Sequence, residues 1–208
     1  AQSAQRHVAA GADSAFALCR PPGHHATADQ YGGYCFINNA AVAAQMFRTS
    51  GALRVAILDI DFHHGNGTQS LFYGRDDIMF ASLHGAPQDA YPYYLGYADE
   101  TGVGAGEGTN LNYPMPPGTR YDVWSTALDD AIAKIKAWGA DALVLSLGVD
   151  AYKEDPISFF KLESGDFTDA GRRIGRMKLP TVICMEGGYA IEAVGINTVN
   201  VLEGFKDA

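Results

Sequence analysis

Hydrophobic positions along the chain fall into continuous runs, separated by segments with helical periodicity. Four predominantly apolar runs show no alternation with polar positions: 54–62, 78–83, 142–149 and 180–185. Such runs are typical of parallel strands that helices cover on both faces. Helical patterns lie between them, at 39–48, 123–138 and 167–178. This alternation of strand and helix predicts an α/β domain.

The segment 85–119 differs from the rest, because it is rich in Gly, Pro, Tyr and Asn and shows little periodicity. We expect it to form long surface loops, which often shape a binding site. Neither an internal repeat nor a linker divides the chain. The sequence therefore predicts one domain over residues 1–208.

Composition narrows the classes of function. Of the 208 residues, 47% are hydrophobic and 19% charged, as in globular proteins with a substantial core. The net charge of -9 argues against nucleic acid as a partner and suits a small cationic molecule. The chain lacks any run of about eighteen apolar residues, so we expect no membrane span. Three cysteines without CxxC spacing predict reduced thiols and a cytoplasmic location.

Polar residues concentrate where the apolar runs stop. Asp59, Asp61 and His63 end the first run, Asp150 follows the third, and Glu-Gly-Gly-Tyr at 186–189 follows the fourth. In open α/β sheets, ligands bind at the carboxyl ends of the strands. The sequence therefore predicts a functional site at that edge.

The acidic residues of this edge indicate a metal. Asp59, Asp61 and His63 are two residues apart, so an extended backbone would point all three to one side. Burying neighbouring carboxylates is costly unless a cation compensates them. Asp61 and His63, together with Asp150, supply two oxygens and one imidazole, which suit Zn²⁺ and fit Fe²⁺ or Co²⁺ less selectively. The alternative is that these groups only cap strands and helices.

A Pro/Gly-rich turn at 20–26 carries two adjacent histidines, His24 and His25. Histidine is the side chain best suited to acid–base chemistry at neutral pH. By itself, however, a histidine pair in a loop is more often a solvated turn.

Five motifs in this order resemble the arginase-deacetylase superfamily: RPPGHHA, GGYCFINNAA, LDIDFHHGNGTQ, SLGVDAYKEDP and EGGY. Within it, the chain is similar to class II histone deacetylases and most similar to bacterial acetylpolyamine amidohydrolases. The resemblance runs from about residue 15 to the end of the chain. It implies a multistranded parallel sheet sandwiched by helices.

The resemblance also implies roles for individual residues. The family's zinc ligands correspond to Asp61, His63 and Asp150. His25 matches the general base, which activates water and then protonates the leaving amine, and His24 matches its electrostatic neighbour. Asp59 matches the orienting partner of His24. Tyr189 matches the phenol that donates a hydrogen bond to the developing oxyanion.

Two further sets follow from the resemblance. Gly33 and Tyr34, with Tyr91 opposite, match the lining of a narrow acyl-lysine channel; the alternative for Tyr91 is an ordinary loop aromatic. A structural potassium site is matched by Asp59, Ser82 and Leu83, with backbone carbonyls of Asp61 and His63. That cation would add positive charge near His24.

The chain departs from the family pattern in two places. Asn66 stands where many histone deacetylases carry an Asp that pairs with the general base, so we expect His25 to be less basic. The acetylpolyamine enzymes resemble this Asn pattern. Family members also have an N-terminal portion with early strands and much of the substrate tunnel, which we expect this sequence to lack.

The resemblance therefore predicts a zinc-dependent amidohydrolase acting on a small cationic acetylated amine, such as acetylputrescine, acetylcadaverine or acetylspermidine. It also implies a homodimer by analogy. One alternative is deacetylation of acetyl-lysine on proteins, and another is a catalytically silent binder of acetylated ligands. An arginase-like reaction would need carboxylates for a second metal, which are not apparent.

Overall fold

The computed structural model describes all 208 residues and contains one six-stranded sheet. The strands are β1 (Ser14–Ala17), β2 (Val55–Asp59), β3 (Ile78–Gly85), β4 (Asn110–Met115), β5 (Ala142–Leu147) and β6 (Thr181–Met185). The helices are α1 (Gln2–Ala9), α2 (Asn39–Thr49), α3 (Asn66–Phe72), α4 (Tyr121–Trp138), α5 (Ser164–Gly175) and α6 (Ile191–Lys206). Every strand pair is parallel, in the order β1-β6-β5-β2-β3-β4. The predicted α/β fold is therefore confirmed.

Helices cover both faces of the sheet. Alternate residues of the buried strands point to opposite sides, so each face presents apolar side chains that a helix covers. Leu58 of β2 packs in a core with Trp124 of α4 and Phe167 of α5. Its neighbour Ile57 packs on the other face, with Phe47 of α2. With both faces covered, the ends of the strands are the edges left to bind a ligand. None of the helices is both long and apolar enough to cross a bilayer.

Several elements were not predicted from the pattern: α1, β1, α3, β4 and α6. The expectation that 85–119 contains only loops is wrong at β4, which lies at one edge of the sheet. The residues of β4 are only partly buried, so the strand lacks the continuous apolar run by which the central strands were predicted. It also contains Pro114, which edge strands tolerate but which argues against a strand in the sequence. In α6, exposed Ile191, Ile196 and Val199 blur the helical period.

The first predicted strand also ends earlier than expected, at Asp59. The Asp59 carboxylate accepts the backbone N–H of Asp61 at 3.1 Å, and the Asp61 carboxylate accepts that of His63 at 2.8 Å. These short-range bonds compete with strand pairing and turn the chain. The expectation that an extended backbone aligns all three side chains is therefore wrong.

Candidate active site

Three predicted ligands meet beyond the carboxyl ends of β2 and β5. The ligand atoms of Asp61, His63 and Asp150 all lie within 4.8 Å of one another. Nδ1 of His63 is 3.2 Å from Oδ1 of Asp61 and 2.9 Å from Oδ2 of Asp150. All three residues are buried.

Backbone groups hold the other oxygen of each carboxylate. Oδ2 of Asp61 accepts the N–H of Gly187 at 2.8 Å, and Oδ1 of Asp150 accepts the N–H of Phe62 at 2.7 Å. Each carboxylate therefore presents its remaining oxygen toward the same point as the His63 nitrogen. This is the arrangement of a preorganised three-ligand site.

Glycines leave the space that these carboxylates need. A Cβ on Gly148 would lie 2.2 Å from Oδ2 of Asp61. A Cβ on Gly187 would lie 2.6 Å from that oxygen and 2.7 Å from Oδ2 of Asp150. Any larger residue at either position would displace the carboxylate of a predicted ligand.

The charges at this point fit a divalent cation. The ion-pair partners of Asp61 are His24 and His63, and the partner of Asp150 is His63. Nδ1 of His63 can share only one proton with two carboxylates. Burial and the neighbouring charge of Asp61 raise the pKa of Asp150 to about 7. Two carboxylate oxygens and one imidazole nitrogen, buried and short of positive charge, suit zinc.

The two histidines of the 20–26 turn have opposite electrostatic environments. Nδ1 of His24 is 2.9 Å from the Asp59 carboxylate. Burial alone would lower the pKa of His24, but the carboxylates of Asp61 and Asp59 outweigh it and raise that pKa well above its usual value. Burial and the charge of His24 lower the pKa of His25 well below its usual value. At neutral pH His24 is therefore charged and His25 neutral.

Asn66 sets the tautomer of His25. Its side-chain oxygen is 2.7 Å from Nδ1 of His25 and accepts the proton on that nitrogen. The lone pair of the neutral ring is then on Nε2. His25 is thus prepared to accept a proton at Nε2.

A cavity of about 560 Å³ connects these groups to the surface. Its walls include six of the predicted site residues: His25, Gly33, Tyr34, His63, Tyr91 and Tyr189. The ring of Tyr91 lies 5.0 Å from that of His25 and nearly perpendicular to it. A Cβ on Gly33, whose φ is +51°, would lie 2.1 Å from the His25 ring. The absence of a side chain at this position therefore lets the backbone pass close to that ring.

Some groups of the predicted potassium site form hydrogen bonds with other residues. Asp59 and Ser82 are register partners of β2 and β3, with Leu83 the next residue of β3. The Asp59 carboxylate binds His24 and the Asp61 N–H, while Oγ of Ser82 is 2.9 Å from Nδ1 of His84. Potassium binding at this set stays a prediction.

Sequence reasoning missed two buried acids that hold the site in place. Oε2 of Glu186 accepts the N–H groups of Gly23 and His24, at 2.6 and 3.1 Å. Oδ2 of Asp155 accepts the N–H of Tyr189 at 2.7 Å. Both acids lie within the quoted motifs EGGY and SLGVDAYKEDP, but no local signal indicates which distant backbone each one binds. Further wall residues were also missed: Phe62, Asp89, Ala90, Tyr93, Ile157 and Phe159.

Comparison with known proteins identifies the family to which the chain belongs. The chain matches the histone deacetylase domain family over residues 1–205. The chain belongs to the histone deacetylase family. The match starts well before residue 15, where the motifs had placed it, because α1 and β1 carry no recognisable motif.

Within this family, the chain is similar to acetylpolyamine amidohydrolases. It is 64% identical over its whole length to acetylpolyamine amidohydrolase 1 of Pseudomonas aeruginosa, of which it covers 60%. It is 59% identical over 95% of its length to that of Mycoplana ramosa, of which it covers 58%. The crystal structure of acetylpolyamine aminohydrolase from Burkholderia pseudomallei superimposes with a TM-score of 0.96 at 46% identity, covering 98% of this chain and 59% of that one.

The structural similarity confirms the arginase-deacetylase fold. The chain spans about 60% of the length of the curated relatives it matches.

Proposed function

We propose that this protein hydrolyses the acetyl amide of small N-acetylated amines, the acetylpolyamines, to acetate and the free amine, with zinc as cofactor. One observation carries the proposal: His63 of the three-ligand group lines the same cavity as neutral His25 and Tyr189. The similarity to acetylpolyamine amidohydrolases supports this substrate class over acetyl-lysine proteins.

Asp61, His63 and Asp150 would hold the zinc ion. Bound there, zinc would supply Lewis acidity to the amide carbonyl and lower the pKa of water. Nε2 of His25 accepts a proton from the attacking water and later donates it to the leaving amine. His24 stays charged beside Asp59. Burial and this charge keep the pKa of His25 low, so His25 is neutral until it accepts the proton from water.

Tyr189 provides the hydrogen-bond donor for the developing oxyanion. Burial and the carboxylates of Asp61 and Asp150 raise the pKa of Tyr189. The phenol therefore keeps its proton throughout the neutral range and donates a hydrogen bond where negative charge develops. No covalent acyl-enzyme is required.

Three further predictions belong to this proposal. Potassium bound at Asp59, Ser82 and Leu83 would add positive charge behind His24. A homodimer is proposed by analogy with related enzymes, in which dimerisation narrows the tunnel. The cytoplasmic location is supported by three free cysteines.

The deciding experiment compares hydrolysis of acetylputrescine with that of an acetyl-lysine peptide, using the full-length zinc-loaded protein with and without a chelator. Chelator-sensitive preference for acetylputrescine is the expected result. Preference for the peptide would transfer the protein to the lysine deacetylases, and absence of both activities would favour a silent binder. His63→Ala and Asp150→Ala should each lose bound zinc, measured by elemental analysis.

A further inference from the structure

We propose that Asp89 binds the free ammonium group of the substrate at the mouth of the cavity, and so selects cationic acetylated amines over neutral amides. This inference rests on the proposed function, because it assigns the recognition of substrate charge in the same cavity. It concerns a residue for which the sequence motifs imply no role.

Asp89 is the only carboxylate among the residues that line the cavity, and no lysine or arginine lines it. Its side chain is exposed. The acidic partners of the chain's lysines and arginines lie elsewhere, so Asp89 forms no ion pair. Its charge is therefore free to meet a cation that enters the cavity.

The turn that carries Asp89 is held in place by the fold. The N–H of Ala86 donates to the carbonyl of Met115 at the end of β4, at 2.8 Å. The N–H groups of Asp89 and Ala90 both donate to the carbonyl of Ala86, at 2.9 and 3.0 Å. Ala90 is 4% exposed and packs in the core. A carboxylate on such a turn keeps its position relative to the cavity, which lowers the cost of binding.

The cavity runs outward toward the segment that carries Asp89. Exposure increases from 6% at His25 to 37% at Tyr91 and 51% at Tyr93. The ring of Tyr91 lies 5.0 Å from that of His25 and 6.3 Å from that of Tyr93. These rings and Asp89 therefore line the outer part of the same cavity.

Carboxylates and tyrosine rings both attract an ammonium group. An acetylpolyamine carries its amide at one end and a cationic amine at the other. When the amide reaches His25 and Tyr189, an alkyl chain between aromatic walls carries the ammonium outward. The outer carboxylate then lies on the side to which the charge extends.

A pair of ligands that differ in the terminal ammonium group tests this assignment. Acetylputrescine and N-acetylbutylamine have the same acetyl group and the same four-carbon chain, but only the first carries an ammonium. Binding of each is measured by calorimetry to the full-length zinc-loaded Tyr189→Phe protein, with and without Asp89→Asn. The Tyr189→Phe background slows turnover, so that binding can be measured before much ligand is hydrolysed. Asp99→Asn, an exposed carboxylate outside the cavity lining, is the matched control for charge loss.

We expect Asp89→Asn to weaken acetylputrescine binding about fivefold, the range of an exposed ion pair, and to leave N-acetylbutylamine binding unchanged. Asp99→Asn should leave both unchanged. When Tyr189 is retained, Asp89→Asn should raise KM for acetylputrescine and preserve kcat. High salt should reduce the difference between the proteins.

Equal effects of Asp89→Asn on the two ligands, or no effect on either, would overturn the assignment. The failure of the proposed function looks different, since the wild-type protein would then hydrolyse neither amide. Because binding is measured directly, the role of Asp89 is decided in either case.

Discussion

The carboxylate of Asp155 accepts the backbone N–H of Tyr189 at 2.7 Å, across two loops that follow neighbouring strands. The same oxygen accepts the N–H of Ala190, at 3.3 Å, where α6 begins. An acid at the amino end of a helix also interacts favourably with the helix dipole. Asp155 therefore fixes the backbone from which the Tyr189 phenol projects, and acts as a positioning residue.

Asp155→Ala should lower kcat about tenfold or more while leaving KM and zinc content nearly unchanged, because misplacement of the phenol affects mainly the transition state. Steady-state kinetics with elemental analysis measures this. Asp155→Asn keeps one carbonyl oxygen as an acceptor and should recover part of kcat. A loss of thermal stability with kcat intact would show that the contact serves only the fold.

Tyr189→Phe removes the phenolic donor and little else. We expect zinc content and acetylputrescine affinity to be retained and kcat to fall about 10²–10³-fold, as for removal of one oxyanion donor. Single-turnover kinetics on the zinc-loaded protein checks this. Turnover at the wild-type rate would remove Tyr189 from the chemistry.

Gly148→Ala should weaken metal binding although none of the three ligand residues is substituted. The new Cβ would lie 2.2 Å from Oδ2 of Asp61, so the carboxylate must leave its present position beside His63 and Asp150. Zinc affinity, measured by competition with a chelating dye, should fall about tenfold or more. Gly165→Ala is the matched control, because nothing lies within 4 Å of its added Cβ. Equal zinc affinities in the two variants would contradict the proposed ligand geometry.

Asn66→Asp should shift the pH profile. A carboxylate at this distance from Nδ1 of His25 would raise the pKa of His25, which burial and charged His24 now hold low. Since the neutral ring acts as base, activity is lost as pH falls through that pKa, and a higher pKa moves the acidic limb to higher pH. The measurement is kcat/KM against pH for both proteins. An unshifted acidic limb would mean that another group controls it.

Asp77 contributes a pH-dependent part of the stability. Its carboxylate accepts hydrogen bonds from Arg75 and from Arg48 of α2, at 2.6–2.8 Å. The bond from Arg75 is the main cause that lowers the pKa of Asp77 to about 2. A lowered pKa stabilises the fold above the unfolded value of about 4, and this contribution is lost as pH falls toward 2.

Asp77→Asn should therefore cost about 1–2 kcal/mol of unfolding free energy at pH 7, and much less near pH 2. Urea denaturation at several pH values measures it. Asp76→Asn, an exposed neighbour, should have a smaller effect. A cost for Asp77→Asn that does not change with pH would indicate packing rather than charge.

The fold class follows from the sequence alone, and so does the choice of the candidate site residues. The buried strands read as apolar runs because both of their faces are covered, and the polar residues that end those runs lie at the ligand-binding edge. Edge strands and short or apolar-faced helices escaped detection, since partial exposure weakens their periodicity. The pairing of His25 with Asn66, and of His24 with Asp59, likewise depends on contacts between distant segments.

The sequence by itself determined which residue types were available at the end of each strand, because burial acts on the local pattern of side chains. Only the tertiary structure decided their partners. It separated Asp59, which pairs with His24, from Asp61, which joins Asp150 some ninety residues away. It also brought Glu186 to the histidine turn and left the Asp89 carboxylate free at the cavity mouth. The physical reason is that strand order and loop packing arise from contacts between segments far apart in sequence, which no local periodicity encodes.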